Sequence, residues 1–379
     1  MKIVIAPDSF KESLSAKQVA TAIQQGFSRV FPDAEYVCLP VADGGEGTTD
    51  ALVSSTQGRF IESQVQDPLG NHITSRWGLL GDSKTAVIET AAASGLDLIH
   101  TTQRNPLITS SYGTGQLIKA ALDNGVSRII IGLGGSATND CGAGILRALG
   151  ANLLDKAGQP LTPGGGALDE LEYLDLSQLD PRLKQVKFEV ACDVDNPLLG
   201  KEGASAIFGP QKGATPEQVA QLDKNLTHFS KHLTTASGTD VTKIPGAGAA
   251  GGIGATLCAL FNTELKSGID IVLDAVDIKQ HLASADLVIT GEGRIDSQSL
   301  RGKTPVGVAK RAKQYDCPVI AVAGSKTQDQ TPLNDCGIDA IFSVVPGIVS
   351  LEEALQQAEV NLQLCSQNIA SVWAMNKKL

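Results

Sequence analysis

The chain has 379 residues, of which 42% are hydrophobic and 4% aromatic, with 40 glycines. It carries 31 basic and 41 acidic residues, a net charge of −10, and an isoelectric point near 5.0. This length suits two domains with sizeable cores, while the acidic, aromatic-poor composition excludes nucleic acid as a partner and requires any bound phosphate to be held locally.

Lys2 to Ala6 reads as a short apolar strand. Ala16, Val19, Ala20, Ile23, Phe27 and Val30 then recur at helical spacing, with Ser15 and Gln18 as a capping box and Pro32 as the stop. Tyr36 to Val41 is the next strand, and the glycine loop Gly44 to Gly47 opens a helix through about Ser55. This β-α-β-α order predicts a parallel sheet. Thr85–Glu89 reads as a strand and Gly115–Leu122 as a helix feeding a strand at Ile129. After the Gly/Pro-rich loop at Gly158–Gly166, Lys187–Cys192 is a strand. Pro216–Leu233 is an amphipathic helix, and Gly246–Leu260 is a glycine loop running into an apolar helix. Strands at Asp286–Thr290, Val319–Ala323 and Ala340–Val344 alternate with helices at Pro305–Lys313 and Leu351 to about Ile369.

The predicted architecture joins both chain ends, 1–60 and 285–379, into one doubly wound domain and inserts residues 61–284 as a second α/β domain. No segment reaches membrane-spanning length, and MKIVIAPDS is too short an apolar run for a signal peptide. The seven cysteines contain no C-x-x-C pair. A disulfide framework or zinc site is therefore not expected, and a reducing cytoplasm is.

The stretch IIIGLGGSATNDCGAG, Ile129 to Gly144, places a buried strand before a glycine loop and a helix start. Backbone amides and a helix N-terminus are a means of holding an anion, foremost a phosphate chain. The spacing matches neither a P-loop nor a dinucleotide fingerprint; a turn that binds nothing is the alternative. Four further polar clusters follow predicted strands, where open α/β sheets place ligands. They hold Asp8, Ser9, Lys11 and Ser13; Asp43, Glu46 and Thr48; Asp193, Asp195 and Asn196; and Glu292, Arg294, Asp296, Arg301 and Lys303. Each alone reads as a cap, a turn or a solvated side chain. Together, carboxylates with a few bases and no histidine suit phosphoryl transfer better than a His-dependent triad.

KIVIAPDSFKESLSA, PVADGGEGT, GGSATND, ACDVDNPL, FGPQKGA, PGAGAAGG and VITGEGRIDSQS occur in this order, and the chain resembles the bacterial type 1 glycerate kinases over almost its whole length. The resemblance implies two α/β domains, one flavodoxin- or Rossmann-like, with the active site in the cleft between them. It implies ATP, Mg²⁺ and D-glycerate as ligands, with the 2-phosphate as the favoured product. Gly134, Gly135, Ser136, Ala137, Thr138 and Asn139 are expected to bind ATP phosphates. Lys11 is expected to bind the glycerate carboxylate, with Arg294 second and Asp8, Ser9, Asp43 and Glu46 around it. Asp193 is the expected base, Lys11 and Asp296 the other catalytic candidates, and Asp193, Glu292 and Asp296 the metal set. Domain crossings near residues 61 and 284 would act as hinges. The chain departs from the family pattern at Cys141, where a glycine is usual; a cysteine is strained there if the position needs a positive φ and harmless if it opens a helix, and the intact loop before it favours the helix. A monomer or homodimer is expected. Kinases of related hydroxy acids such as tartronate, and a nicotinamide-dependent dehydrogenase, are the alternatives; the absence of a glycine fingerprint after the first strand counts against the latter.

Overall fold

The computed structural model describes residues 1–296, 299, 303–326 and 331–376. Its strands, in chain order, are β1 (Lys2–Ile5), β2 (Glu35–Cys38), β3 (Arg59–Gln66), β4 (His72–Leu79), β5 (Thr85–Glu89), β6 (Arg128–Gly132), β7 (Asn152–Leu154), β8 (Tyr173–Asp175), β9 (Lys187–Ala191), β10 (Asn262–Lys266), β11 (Leu287–Ile295), β12 (Val319–Lys326) and β13 (Ala340–Ser343). Two compact units result. The first comprises residues 1–43, 50–57 and 269–379, the second residues 44–49 and 58–268.

The first unit is built on a parallel sheet in the order β13-β12-β11-β1-β2. Both chain ends thus supply neighbouring strands. Ile3, Val4 and Ile5 are fully buried, as a central parallel strand requires, because helices cover both faces of such sheets. The helix Ala16–Ser28 has the expected capping box, with the Ser15 hydroxyl accepting from the Gln18 amide and the Gln18 side chain returning the bond. Its buried Val19, Ile23 and Phe27 join a core with Leu362 and Ile369. The predicted closing helix is two helices, Leu351–Gln356 and Ala358–Asn376. Residues 269–284, expected in the insertion, belong to the first unit. There Arg311 pairs with Asp270 at 3.1 Å and Asp274 at 2.8 Å, and a Cβ on Gly307 would meet Ile269 at 2.4 Å.

The second unit holds a six-stranded sheet, β10-β9-β6-β5-β4-β3, and the small pair β7-β8. β5, β6, β9 and β10 run parallel, while β3 and β4 form an antiparallel hairpin at one edge. The hairpin turn is tied by Asp67, whose carboxylate accepts from the amides of Leu69 at 2.8 Å and Asn71 at 2.9 Å, an Asx-type turn. Trp77, Phe188, Ile129 and Ile131 anchor its core. No described helix is long and apolar enough to cross a membrane.

Candidate functional site

Within the second unit, β5, β6 and β9 are adjacent and parallel, so the loops after Glu89, Gly132 and Ala191 leave the same edge of the sheet. Ligands of open α/β sheets bind at such edges. Residues Gly44–Thr49 lie on this edge too: the Thr49 amide donates to Glu89 Oε1 at 2.8 Å. A Cβ on Gly132 would lie 2.8 Å from the Gly44 carbonyl, and one on Gly44 would lie 2.7 Å from Ala191 Cβ. Only glycines allow this approach. Asp193, just past β9, accepts from the Gly268 amide at 3.0 Å. Two glycine loops and the Asp193 and Glu89 carboxylates therefore share one edge; Glu46 lies exposed on the first loop.

The loop 133–141 has an exposed tip and a buried stem. Gly134 and Gly135 are exposed, and no acceptor is seen for their amides among the described residues. Ser136 to Asp140 are buried. The Ala137 amide is given to the Ser94 carbonyl at 2.8 Å, so it does not face a ligand. Thr138 Oγ1 and Asn139 Oδ1 are buried without a hydrogen-bond partner among the described residues.

Lys212 holds the stem. It is 1% exposed, and its Nζ donates to Ser136 Oγ at 3.0 Å and to the Thr138 carbonyl at 2.7 Å. Burial pushes its ammonium down to about 7, against the pull of the nearby Asp140 charge. Nothing in FGPQKGA marks Lys212 for this role, because burial is a tertiary property.

The helix N-terminus is not the anion site it resembles in sequence. The helix spans only Ala143–Ala148, and Asp140 occupies its start. That carboxylate accepts from the Gly142 amide at 3.1 Å, the Gly144 amide at 3.2 Å, the Ser111 amide at 2.8 Å and the Ser111 hydroxyl at 2.9 Å. Burial pushes the Asp140 carboxyl up, and these donors oppose the shift. The positive end of the helix thus meets a carboxylate of the protein itself.

Cys141 does not open the helix. Its φ is 51°, so a residue with a Cβ takes a left-handed position, at a strain of about 1–2 kcal/mol. The side chain is fully buried, and the Cys141 amide donates to the Gly251 carbonyl at 2.9 Å. Gly251 belongs to the third glycine loop, where Ala250, Gly251 and Gly252 are all left-handed inside the predicted helix. A Cβ on Gly251 would lie 2.1 Å from the Thr138 carbonyl. This loop therefore buttresses the stem of the 133–141 loop. Cys141→Gly is expected to change stability by less than about 1 kcal/mol, strain relief offsetting lost packing, whereas Cys141→Val should cost more than about 2 kcal/mol. Denaturant unfolding measures both.

The first unit carries its own polar cluster. The Asp8 amide donates to the Gly291 carbonyl at 2.8 Å, setting the turn after β1 beside β11. Asp8 accepts from the Thr304 hydroxyl at 2.6 Å and the Ser9 amide at 2.6 Å. Its carboxyl is nonetheless raised to about 6, first by burial, with the Asp43 charge adding to the shift. Glu292 is raised to about 7 by burial, with Asp8 and Asp43 adding and Lys303 and the Ser299 hydroxyl opposing. The predicted loop from Gly291 is the continuation of β11, paired with β12 as far as Ile295 and Lys326. Lys11 is exposed, and a Cβ on Gly293 would lie 3.5 Å from its amide nitrogen. Arg294, 77% exposed, pairs with Asp296 at 3.0 Å.

Of the predicted metal set, Glu292 thus sits with Asp8 and Asp43, Asp296 is tied to Arg294, and Asp193 belongs to the second unit. No three His, Cys, Asp or Glu residues form a metal-binding group among the described residues. Arg301 lies outside the described residues. Ser299, which ends the VITGEGRIDSQS string, and Thr304 are the hydroxyl partners of the two raised carboxyls, roles the sequence did not assign.

Comparison with known proteins places this chain among close relatives. A family model described as the glycerate kinase family matches residues 3–374. A glycerate kinase of Bacillus subtilis (strain 168) is 57% identical over 371 residues, 98% of this chain and 97% of that protein. A glycerate 2-kinase of Escherichia coli (strain K12) is 54% identical over 378 residues, 100% of this chain and 99% of that one. A crystal structure from Salmonella typhimurium LT2, provisionally named glycerate kinase 2, covers 100% of both chains at 53% identity with a TM-score of 0.93.

Proposed function

Because the chain belongs to the glycerate kinase family, we propose that it transfers the γ-phosphoryl group of ATP to D-glycerate, at the C2 hydroxyl. The observation that carries the reading is the exposed Gly134–Gly135 tip backed by buried Lys212, within a chain that matches such kinases end to end. The comparisons support neither the dehydrogenase nor the other hydroxy-acid kinases. Seven free cysteines support a cytoplasmic enzyme.

The second unit suits the donor. The Gly134 and Gly135 amides and the Ser136 hydroxyl would take phosphate oxygens, and Lys212 would supply positive charge from behind the loop. The oxygen donors Asp193 and Glu89 at the same edge fit Mg²⁺, which keeps several waters and needs only one or two carboxylates besides substrate phosphates. When bound, Mg²⁺ neutralises charge on the transferred group.

The first unit suits the acceptor. Lys11 and Lys303, with Arg294 second, are the cations for the glycerate carboxylate. Asp8 and Glu292 hold carboxyls raised close to neutral pH, as a proton acceptor for the substrate hydroxyl requires. That favours this pair over Asp193 as the base. Asp193 stays with the donor.

ADP release on adding D-glycerate tests the activity, and phosphorus–proton coupling in the product identifies the phosphorylated carbon. No ADP release with D-glycerate would reject the reading. Gly135→Val addresses the donor site: Gly135 has φ +70°, and a Cβ there meets Ala91 Cβ at 3.1 Å. A β-branched residue at this φ is strained. ATP affinity should fall at least about tenfold, by about 1.4 kcal/mol, in a protein whose circular dichroism is unchanged.

A further inference from the structure

The second unit contains a cavity of about 750 Å³ that the proposed reaction does not use. Its walls include Leu107, Ile108 and Pro163, with Arg147 among polar residues that also include Gln66, Ser110, Thr162 and Glu170. Ile108 is 52% exposed at its mouth. The volume is that of a metabolite or drug-sized pocket, and mostly apolar walls with a few placed polar groups are what such sites use.

The cavity shares its wall with the phosphate-loop stem. Residues 109 to 112 alternate in role. Ser110 and Tyr112 line the cavity, whereas the Thr109 hydroxyl donates to the Ala137 carbonyl at 2.8 Å and Ser111 holds Asp140. A second wall segment does the same. Gly166 lines the cavity, while a Cβ on Gly165 would lie 2.3 Å from the Asn139 carbonyl. Asn225 Nδ2 fixes both glycines, donating to each carbonyl at 2.9 Å. Any ligand that shifts these segments therefore shifts the groups that hold Ala137, Asn139 and Asp140.

We propose that this cavity binds a small monocarboxylate with an apolar body, and that its occupancy changes the affinity of the glycine loop for ATP. The single guanidinium selects one carboxylate. Arg147 donates one hydrogen bond to the Leu161 carbonyl at 3.1 Å and has further N–H groups for a ligand. Glu170 at the wall disfavours a polyanion. The coupling half rests on the kinase reading; the binding half does not.

Calorimetry on the full-length protein with hexanoate and indole-3-acetate as probes tests binding without turnover. One site per chain is expected, with Kd of about 1 mM or tighter, and the uncharged analogues hexanamide and indole-3-acetamide should bind at least about tenfold more weakly. Arg147→Met should weaken both acids at least about tenfold, as should Ile108→Glu at the exposed mouth, with melting temperatures near the parent's. In kinetic assays the acids should shift the KM for ATP about fivefold or more, within the usual span of allosteric coupling. That shift should vanish in Arg147→Met, whose basal turnover stays within about twofold of the parent. No binding at about 10 mM, or equal binding by Arg147→Met, would overturn the site. Competitive displacement by ATP would also overturn it, making the cavity the nucleoside's own pocket. Binding with no change in the KM for ATP would overturn the coupling alone. If the protein failed to phosphorylate glycerate, the calorimetry would still decide the site.

Discussion

Lys212→Met is expected to lower kcat/KM about 10²- to 10³-fold, the usual loss for one preorganised donor at developing phosphate charge. Lys212 is the only cation bonded to the loop stem among the described residues, through Ser136 Oγ and the Thr138 carbonyl. A purely structural lysine would show up in stability alone, so proton linkage separates the roles. Burial holds the free ammonium down to about 7. An arriving polyphosphate favours the charged form and raises it again. ATP binding between pH 7 and 8 should therefore take up a proton, seen as a dependence of binding heat on buffer ionisation enthalpy. That dependence should disappear in Lys212→Met. ATP binding with no proton uptake by the parent protein would remove Lys212 from the phosphate site.

Glu292→Gln and Asp8→Asn should each cost about 10²- to 10⁴-fold in kcat, the range for losing a general base. In the parent protein kcat/KM should climb with pH and level off above about 7, following carboxyls raised to about 6 and about 7. The two groups interact, so the apparent values belong to the pair. The same shifts fix the sign of a stability effect. Between about pH 4 and 7 the folded protein keeps protons that the unfolded chain has lost. This contribution to stability therefore falls as pH rises through that window, and above it the ionised carboxylates are a net cost. Glu292→Gln should accordingly melt a few degrees higher than the parent at pH 8 and show no such gain near pH 4. A variant that lost activity but melted no higher at pH 8 would deny that Glu292 is held at a cost for function.

The parts of this molecule that were legible in sequence are those set by local chemistry. The Ser15–Gln18 capping box, the apolar β1 and β6 and the glycines before Ser136 each announce a local conformation. The parallel sheet shared by both chain ends followed from the alternation of elements. What stayed hidden depended on partners far along the chain. Asp140 reads as the last member of a ligand loop, yet Ser111, 29 residues earlier, makes it a structural anion. Cys141 reads as a helix start until the Gly251 carbonyl, to which its amide donates, fixes it in the left-handed region. Lys212 looks like any solvated lysine, because the groups that bury it lie more than seventy residues before it. The β3–β4 hairpin escaped because β3, mostly polar and half exposed, lacks an apolar run.

The strand order of the first sheet also sets a timetable for synthesis. β1 lies between β2 and β11, so one edge of Ile3–Ile5 has no partner until Leu287 to Ile289 have been made. At about 5–20 residues per second, that wait is on the order of 12–50 s. Meanwhile the second unit, nearly contiguous from residue 58 to 268, has time to fold. Until then the nascent Ile3–Ile5 segment carries an unpaired apolar strand edge that must be kept from pairing with other chains.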